Sequence, residues 1–120
     1  MADQVLVISW GTPVRGREER GLEVFNDAVG LAGRMQQDGR IEKFDVVLLE
    51  PNGELNGYLE LHGSGEQLAA VREDEEFQRN TADALLIVDG LRHTLGYTNE
   101  GIAPQMAIYQ DAISRVPQMA

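Results

Sequence analysis

A strand-like segment, a long amphipathic helix and a second strand-like segment fill the first half of the chain, and the same succession returns in the second half. Residues 5–10, Val-Leu-Val-Ile-Ser-Trp, are β-branched and apolar on both alternating faces, and Gly11-Thr12-Pro13 stops them. Such texture predicts a central strand covered on both sides. Over residues 18–38 the apolar positions Leu22, Phe25, Val29, Ala32 and Met35 advance in steps of three and four, which predicts a helix ended by Gly39. Residues 44–49 are again apolar on both faces. Pro51-Asn52-Gly53 supplies turn dihedrals, so a strand, a tight turn and a return strand over residues 55–62 are expected. In that return strand Leu59 and Leu61 share one face, while Tyr58, Glu60 and His62 share the other.

The second half opens on Ser64-Gly65-Glu66-Gln67, where Ser and Gln are spaced as a capping box. Leu68, Ala69 and Val71 give that helix its buried side, and the acidic run 73–76 then breaks the rhythm. A second helical piece resumes with Phe77, Thr81, Ala84, Leu85 and Val88, so a bend is expected near Asp74. Asp89-Gly90 ends the piece, and residues 91–98 form a last strand. Residues 85–88 can alternatively be a short strand paired with it through an Asp-Gly hairpin. Beyond Gly101, Ile102, Met106, Tyr109, Ile113 and Val116 repeat in steps of four and three, with Pro104 tolerated in the first turn of a C-terminal helix.

Two βαβ halves joined by a turn describe the split βαβ arrangement. The expected fold is therefore α+β, a ferredoxin-like βαββαβ sandwich with a four-stranded antiparallel sheet plus a C-terminal helix, as one domain over residues 1–120. Both long helices cover the same face of such a sheet. Because the first two strands are apolar on both faces, the opposite face needs a cover, and pairing with a second copy supplies one with closed symmetry.

By element order, strand texture and the 77–101 region, the chain resembles the dimeric α+β barrel superfamily, in which two ferredoxin-like subunits pair their sheets. Members include cofactor-independent monooxygenases acting on polycyclic aromatic substrates, haem-degrading enzymes, isomerases and stress-responsive proteins. The resemblance implies a homodimer with a small-molecule pocket between sheet and helices in each subunit, and oxygenase- or isomerase-like chemistry in it. The competing expectation is a non-catalytic dimeric assembly or stress-responsive protein.

Composition narrows the chemistry. With no cysteine among 120 residues, disulfides, thiolate nucleophiles, Cys-ligated zinc and iron–sulfur clusters are all excluded. Twenty acidic residues against ten basic ones give a net charge of −10, which disfavours nucleic acid and anionic membrane surfaces as partners. The start of the chain lacks a basic, apolar leader, so the expected address is the cytoplasm. Arg15, Arg17 and Arg20 gather around the first helix start, either as a solvated helix start or as an anion contact.

His62 and His93 are the only imidazoles and the first candidates for acid–base work. In the expected topology they lie toward opposite ends of the sheet, a poor metal pair. No metal centre and no cofactor are expected. Tyr58, Glu60 and His62 share a strand face, where Glu60 or His62 can take a proton from a ligand; the competing reading is a polar patch at an interface or strand edge. Trp10 and His93 fall toward the same end of the sheet, an aromatic wall with an imidazole suited to a planar, apolar or aromatic ligand, although Trp10 can equally be a large core residue. Haem degraders of the superfamily use an Asn, Trp and His set that cannot be matched here. Gly63-Ser64-Gly65 is explained by capping more simply than by phosphate binding, and Ser9 has no partners for a hydrolase triad.

Overall fold

The computed structural model describes residues 2–119. Strand β1 (Gln4–Trp10) leads to helix α1 (Glu18–Gln37), strands β2 (Lys43–Leu48) and β3 (Gly57–Gly63), helices α2 (Gly65–Glu73) and α3 (Glu75–Leu85), strand β4 (Arg92–Tyr97), a 3₁₀ turn at Asn99–Gly101 and helix α4 (Ile102–Ser114). The strands form one sheet in the order β2-β3-β1-β4, with every neighbouring pair antiparallel. This is the α+β ferredoxin-like arrangement expected from the order of elements.

Register divides the side chains between two faces. Leu6 lies between Leu61 and Leu95, and Ile8 between Leu59 and His93, so these residues share the face under the helices. There Leu6, Leu59 and Leu61 pack with Leu31 and Met35 of α1, Leu68 and Val71 of α2, and Phe77 of α3. Complete burial of each such side chain is worth about 1.5–3 kcal/mol, which makes this layer the main source of stability. Val5, Val7, Ser9, Tyr58, Glu60 and His62 point the other way.

Local chemistry sets the helix ends. Gly39 takes φ +77° just past α1, and the Arg40 N–H donates to the Met35 carbonyl at 2.8 Å, closing the C-terminus as expected of a glycine there. Ser64 Oγ accepts from the Gln67 N–H at 3.1 Å, and Gln67 Oε1 accepts from the Ser64 N–H at 2.9 Å, the capping box complete in both directions. Asp74 is the bend: it ends α2, and its carboxylate accepts from the Phe77 N–H at 2.9 Å to begin α3. Between α1 and α3, Arg34 pairs with Glu76, Arg20 with Asp83 at 3.2 Å, and Asn80 Nδ2 donates to the Val24 carbonyl at 3.1 Å. Arg17 donates to the Leu86 carbonyl, so two of the three arginines around the α1 start hold the fold together.

Two boundaries differ from expectation. Helix α3 stops at Leu85, and Val88 forms an isolated bridge with Pro13, neither continuing the helix nor pairing with β4. The backbone leaving β1 is the cause. Gly11 and Val14 donate to the Asp89 and Ile87 carbonyls at 2.7 and 2.8 Å, while Ile87 sinks into the core, and these local demands override helical periodicity. The connection to β3 is also longer than a tight turn, because Asn52 Oδ1 accepts from the Glu54 and Leu55 N–H groups and holds a loop until Gly57.

Helix α4 forms where expected but buries none of its residues. The radius of gyration is 17.0 Å, against about 14 Å for a compact chain of this length. Among the described residues no helix is long and apolar enough to cross a membrane.

Candidate functional site

Between the helix-side face of the sheet and helices α1 and α3 lies a cavity of about 330 Å3, toward the lower end of the roughly 300–1,000 Å3 typical of small-molecule sites. Small side chains open it. Gly21, Ala28 and Ala32 face it from α1 and Ala84 from α3, while Ile8, Leu59 and Leu61 form its floor.

Its walls are aromatic. Trp10 meets Phe25 edge to face, with centroids 5.7 Å apart, and Phe77 lies tilted against His93 at 5.5 Å. Gly57, paired with Trp10 across the sheet, lets the indole settle: a Cβ there would lie 2.6 Å from the Val47 carbonyl oxygen and 3.0 Å from Trp10 Cζ2. Phe77 is fixed by the Asp74 cap at the start of its helix.

Polar groups in the cavity are few. Thr81 Oγ1 donates to the Phe77 carbonyl at 3.0 Å, the Asn80 amide to that of Val24, and Glu18 Oε1 accepts from the Gly16 N–H at 2.8 Å, so all three are tied to backbone. His93 is different. Its pKa is lowered from the ordinary 6.5 by burial and, to a lesser degree, by the Arg72 cation. Both causes favour the neutral imidazole, whose free ring nitrogen can accept a hydrogen bond or a proton.

The sequence-derived candidates divide by face. Trp10 and His93 meet in the cavity. Tyr58, Glu60 and His62 do not line it: they lie on the opposite face of the sheet, where Glu60 sits directly across from Asp45 of β2. There His62 Nε2 lies 3.1 Å from Glu60 Oε1 and 3.5 Å from Asp45 Oδ2, and the buried Nδ1 makes no hydrogen bond among the described residues. His62 and His93 fall on opposite faces and pair with Val5 and Ile8 respectively, toward opposite ends of β1. The sequence marks Phe25 and Phe77 as apolar helix positions and carries no signal for Asp45. The helical period marks the first two as inward-facing without showing a gap beside them. Only the β2–β3 register brings Asp45 to Glu60.

No family model matches the chain, and no curated protein matches its sequence. Solved structures do. A dimeric protein of ferredoxin-like fold and unknown function from Bacteroides fragilis superposes with a TM-score of 0.60 at 14% identity, covering 79% of this chain and 96% of that one. A dimeric ferredoxin-like protein from Jannaschia sp. gives 0.56 at 15% identity, covering 80% and 98%. SnoaB, a cofactor-independent oxygenase from Streptomyces nogalater, gives 0.55 at 16% identity, covering 82% and 96%. Sheet order, helix placement and these superpositions together establish that the chain has the ferredoxin-like α+β fold shared by those dimeric proteins and by that oxygenase.

Proposed function

We propose that this chain is a homodimeric small-molecule protein holding one planar, largely apolar ligand per subunit in the cavity beneath its sheet, with His93 as proton acceptor. One observation carries the reading: an apolar cavity walled by Trp10, Phe25 and Phe77 with the imidazole of His93 on its lining. Apolar walls give a flat ring system its binding energy, and the imidazole gives it one directional contact.

Removing a proton from a weakly acidic C–H or O–H of such a ligand raises its electron density, and an electron-rich carbanion or phenolate can reduce dioxygen without a protein cofactor. Cofactor-independent oxygenation is the reaction type this supports, and the similarity of fold to the Streptomyces nogalater oxygenase is consistent with it. Support for the homodimer comes from the strand face left without helices, from the apolar side chains exposed along α4, and from the dimeric neighbours.

Trp10 is the only tryptophan and lines the cavity, so its fluorescence reports occupancy directly. Anthrone, a flat tricycle with an acidic CH2, is a suitable probe; its oxidation by one O2 gives anthraquinone and water. Expected are saturable quenching at one probe per subunit and oxygen uptake that His93→Gln abolishes while leaving quenching in place. Quenching without oxygen uptake would reduce the reading to a binding protein. Failure of anthrone and other flat aromatic probes to quench Trp10 would favour the non-catalytic assembly.

A further inference from the structure

We propose that Asp45, Glu60 and His62, on the face of the sheet away from the cavity, form a binding site for a first-row divalent transition-metal cation, with Zn2+ as the reference ion. The spacing of their donor atoms is the first ground. Ligands about 2.0–2.2 Å from a zinc ion stand about 3.0 Å apart at right angles and about 3.4 Å apart at the tetrahedral angle. His62 Nε2 is 3.1 Å from Glu60 Oε1 and 3.5 Å from Asp45 Oδ2, and all three donor atoms lie within 4.8 Å of one another.

Rigidity is the second ground. Glu60 and His62 are alternate residues of β3, and Asp45 is the register partner of Glu60 on β2, so the sheet ladder fixes all three backbones. The imidazole is buried and already points Nε2 at both carboxylates. That nitrogen carries at most one N–H, enough for one carboxylate and not two. Lys43 supplies a positive charge at present, its Nζ 3.5 Å from the same Asp45 Oδ2, but its side chain is more than half exposed and free to swing away.

Donor chemistry selects the ion. One imidazole nitrogen with two carboxylates suits Zn2+ and its neighbours in the first row, whereas Mg2+ and Ca2+ prefer all-oxygen shells. Three protein donors leave room for water or an added ligand. In the single chain Asp45 is half exposed, and because it belongs to edge strand β2 the site opens at the rim of the sheet and not at the centre of the face that a second copy would cover. The sequence-based expectation of no metal rests on the lack of cysteine, on the separation of His62 from His93 and on the lack of a clustered His/carboxylate spacing; the first two stand, and the β2–β3 register supplies the cluster that linear spacing does not show.

Titration of the metal-free full chain with Zn2+ by calorimetry at pH 7.5 tests the assignment, with Mg2+ as the comparison ion. One Zn2+ per chain is expected, and millimolar Mg2+ should not compete. Asp45→Asn and Glu60→Gln should each weaken binding about tenfold or more, and Lys43→Gln should tighten it by removing the competing ammonium. His62→Gln should abolish binding; because that side chain is buried, the two carboxylate variants carry the test if it does not fold. Absence of a saturable site overturns the proposal. So does Zn2+ binding that neither carboxylate variant weakens, which would place the ion elsewhere on this acidic chain. Neither result bears on the cavity, which lies on the other face.

Discussion

Replacing Asp74 by alanine should loosen the molecule at the one point where the second half of the fold changes direction. Asp74 ends α2, and its Oδ2 accepts from the Phe77 N–H at 2.9 Å, while Oδ1 lies 3.4 Å from Arg40 Nη1. Losing a carboxylate N-cap costs about 1 kcal/mol. The Arg40 pair is partly exposed, with side-chain accessibilities of 41% and 28%, and its loss adds only about 0.3 kcal/mol after solvent screening. At a urea dependence of about 1.5 kcal/mol per molar, a total near 1.3 kcal/mol lowers the unfolding midpoint by about 0.9 M. Asp74→Asn keeps an acceptor for the Phe77 N–H and loses only the charge, so its midpoint should fall by about 0.2–0.3 M. The assay is urea denaturation followed by far-UV circular dichroism at one fixed protein concentration, since the midpoint of an associating chain depends on concentration. An Asp74→Ala midpoint within 0.2 M of the unmodified chain, or equal falls in the two variants, would refute the shared-cap account of this bend.

Two further outcomes follow from the geometry. Because burial, and then Arg72, hold the His93 pKa below 6.5, the unfolded chain binds more protons between that lowered value and 6.5; stability is then fully present above pH 6.5 and is lost as pH falls through this window. His93→Gln should flatten this slope, and Arg72→Gln should move the His93 titration seen by proton NMR upward but not the whole way to 6.5; an unmoved titration counts against the Arg72 contribution. Val7, paired with Glu60 and Thr94, lies on the face without helices, whereas Leu6 is fully buried beneath them. Val7→Asp should therefore yield a folded monomer and Leu6→Asp an unfolded chain; sedimentation equilibrium showing the unmodified protein as a stable 13.3 kDa monomer would refute the dimer.

The sequence by itself determined the order of elements, their approximate bounds and the division of each strand into two faces, because period and capping act within a few residues. The Leu59 and Leu61 side of β3, the box at Ser64, the bend at Asp74 and the exposed stripe of α4 all belong to that local class. Only the tertiary structure decided which residues meet across long separations. Trp10 and His93 share a cavity because Ile8 pairs with His93 and because Phe25 and Phe77 close on them from two helices. Asp45 joins Glu60 and His62 through the β2–β3 register, and a shift of one residue would turn it to the other face. The end of α3 was likewise set from a distance, since Ile87 and Asp89 accept hydrogen bonds from Val14 and Gly11. The cavity volume depended on tertiary packing as well: Ala32 and Ala84 read in sequence as ordinary apolar helix positions, and only the stand-off between helices and sheet leaves open space beside them.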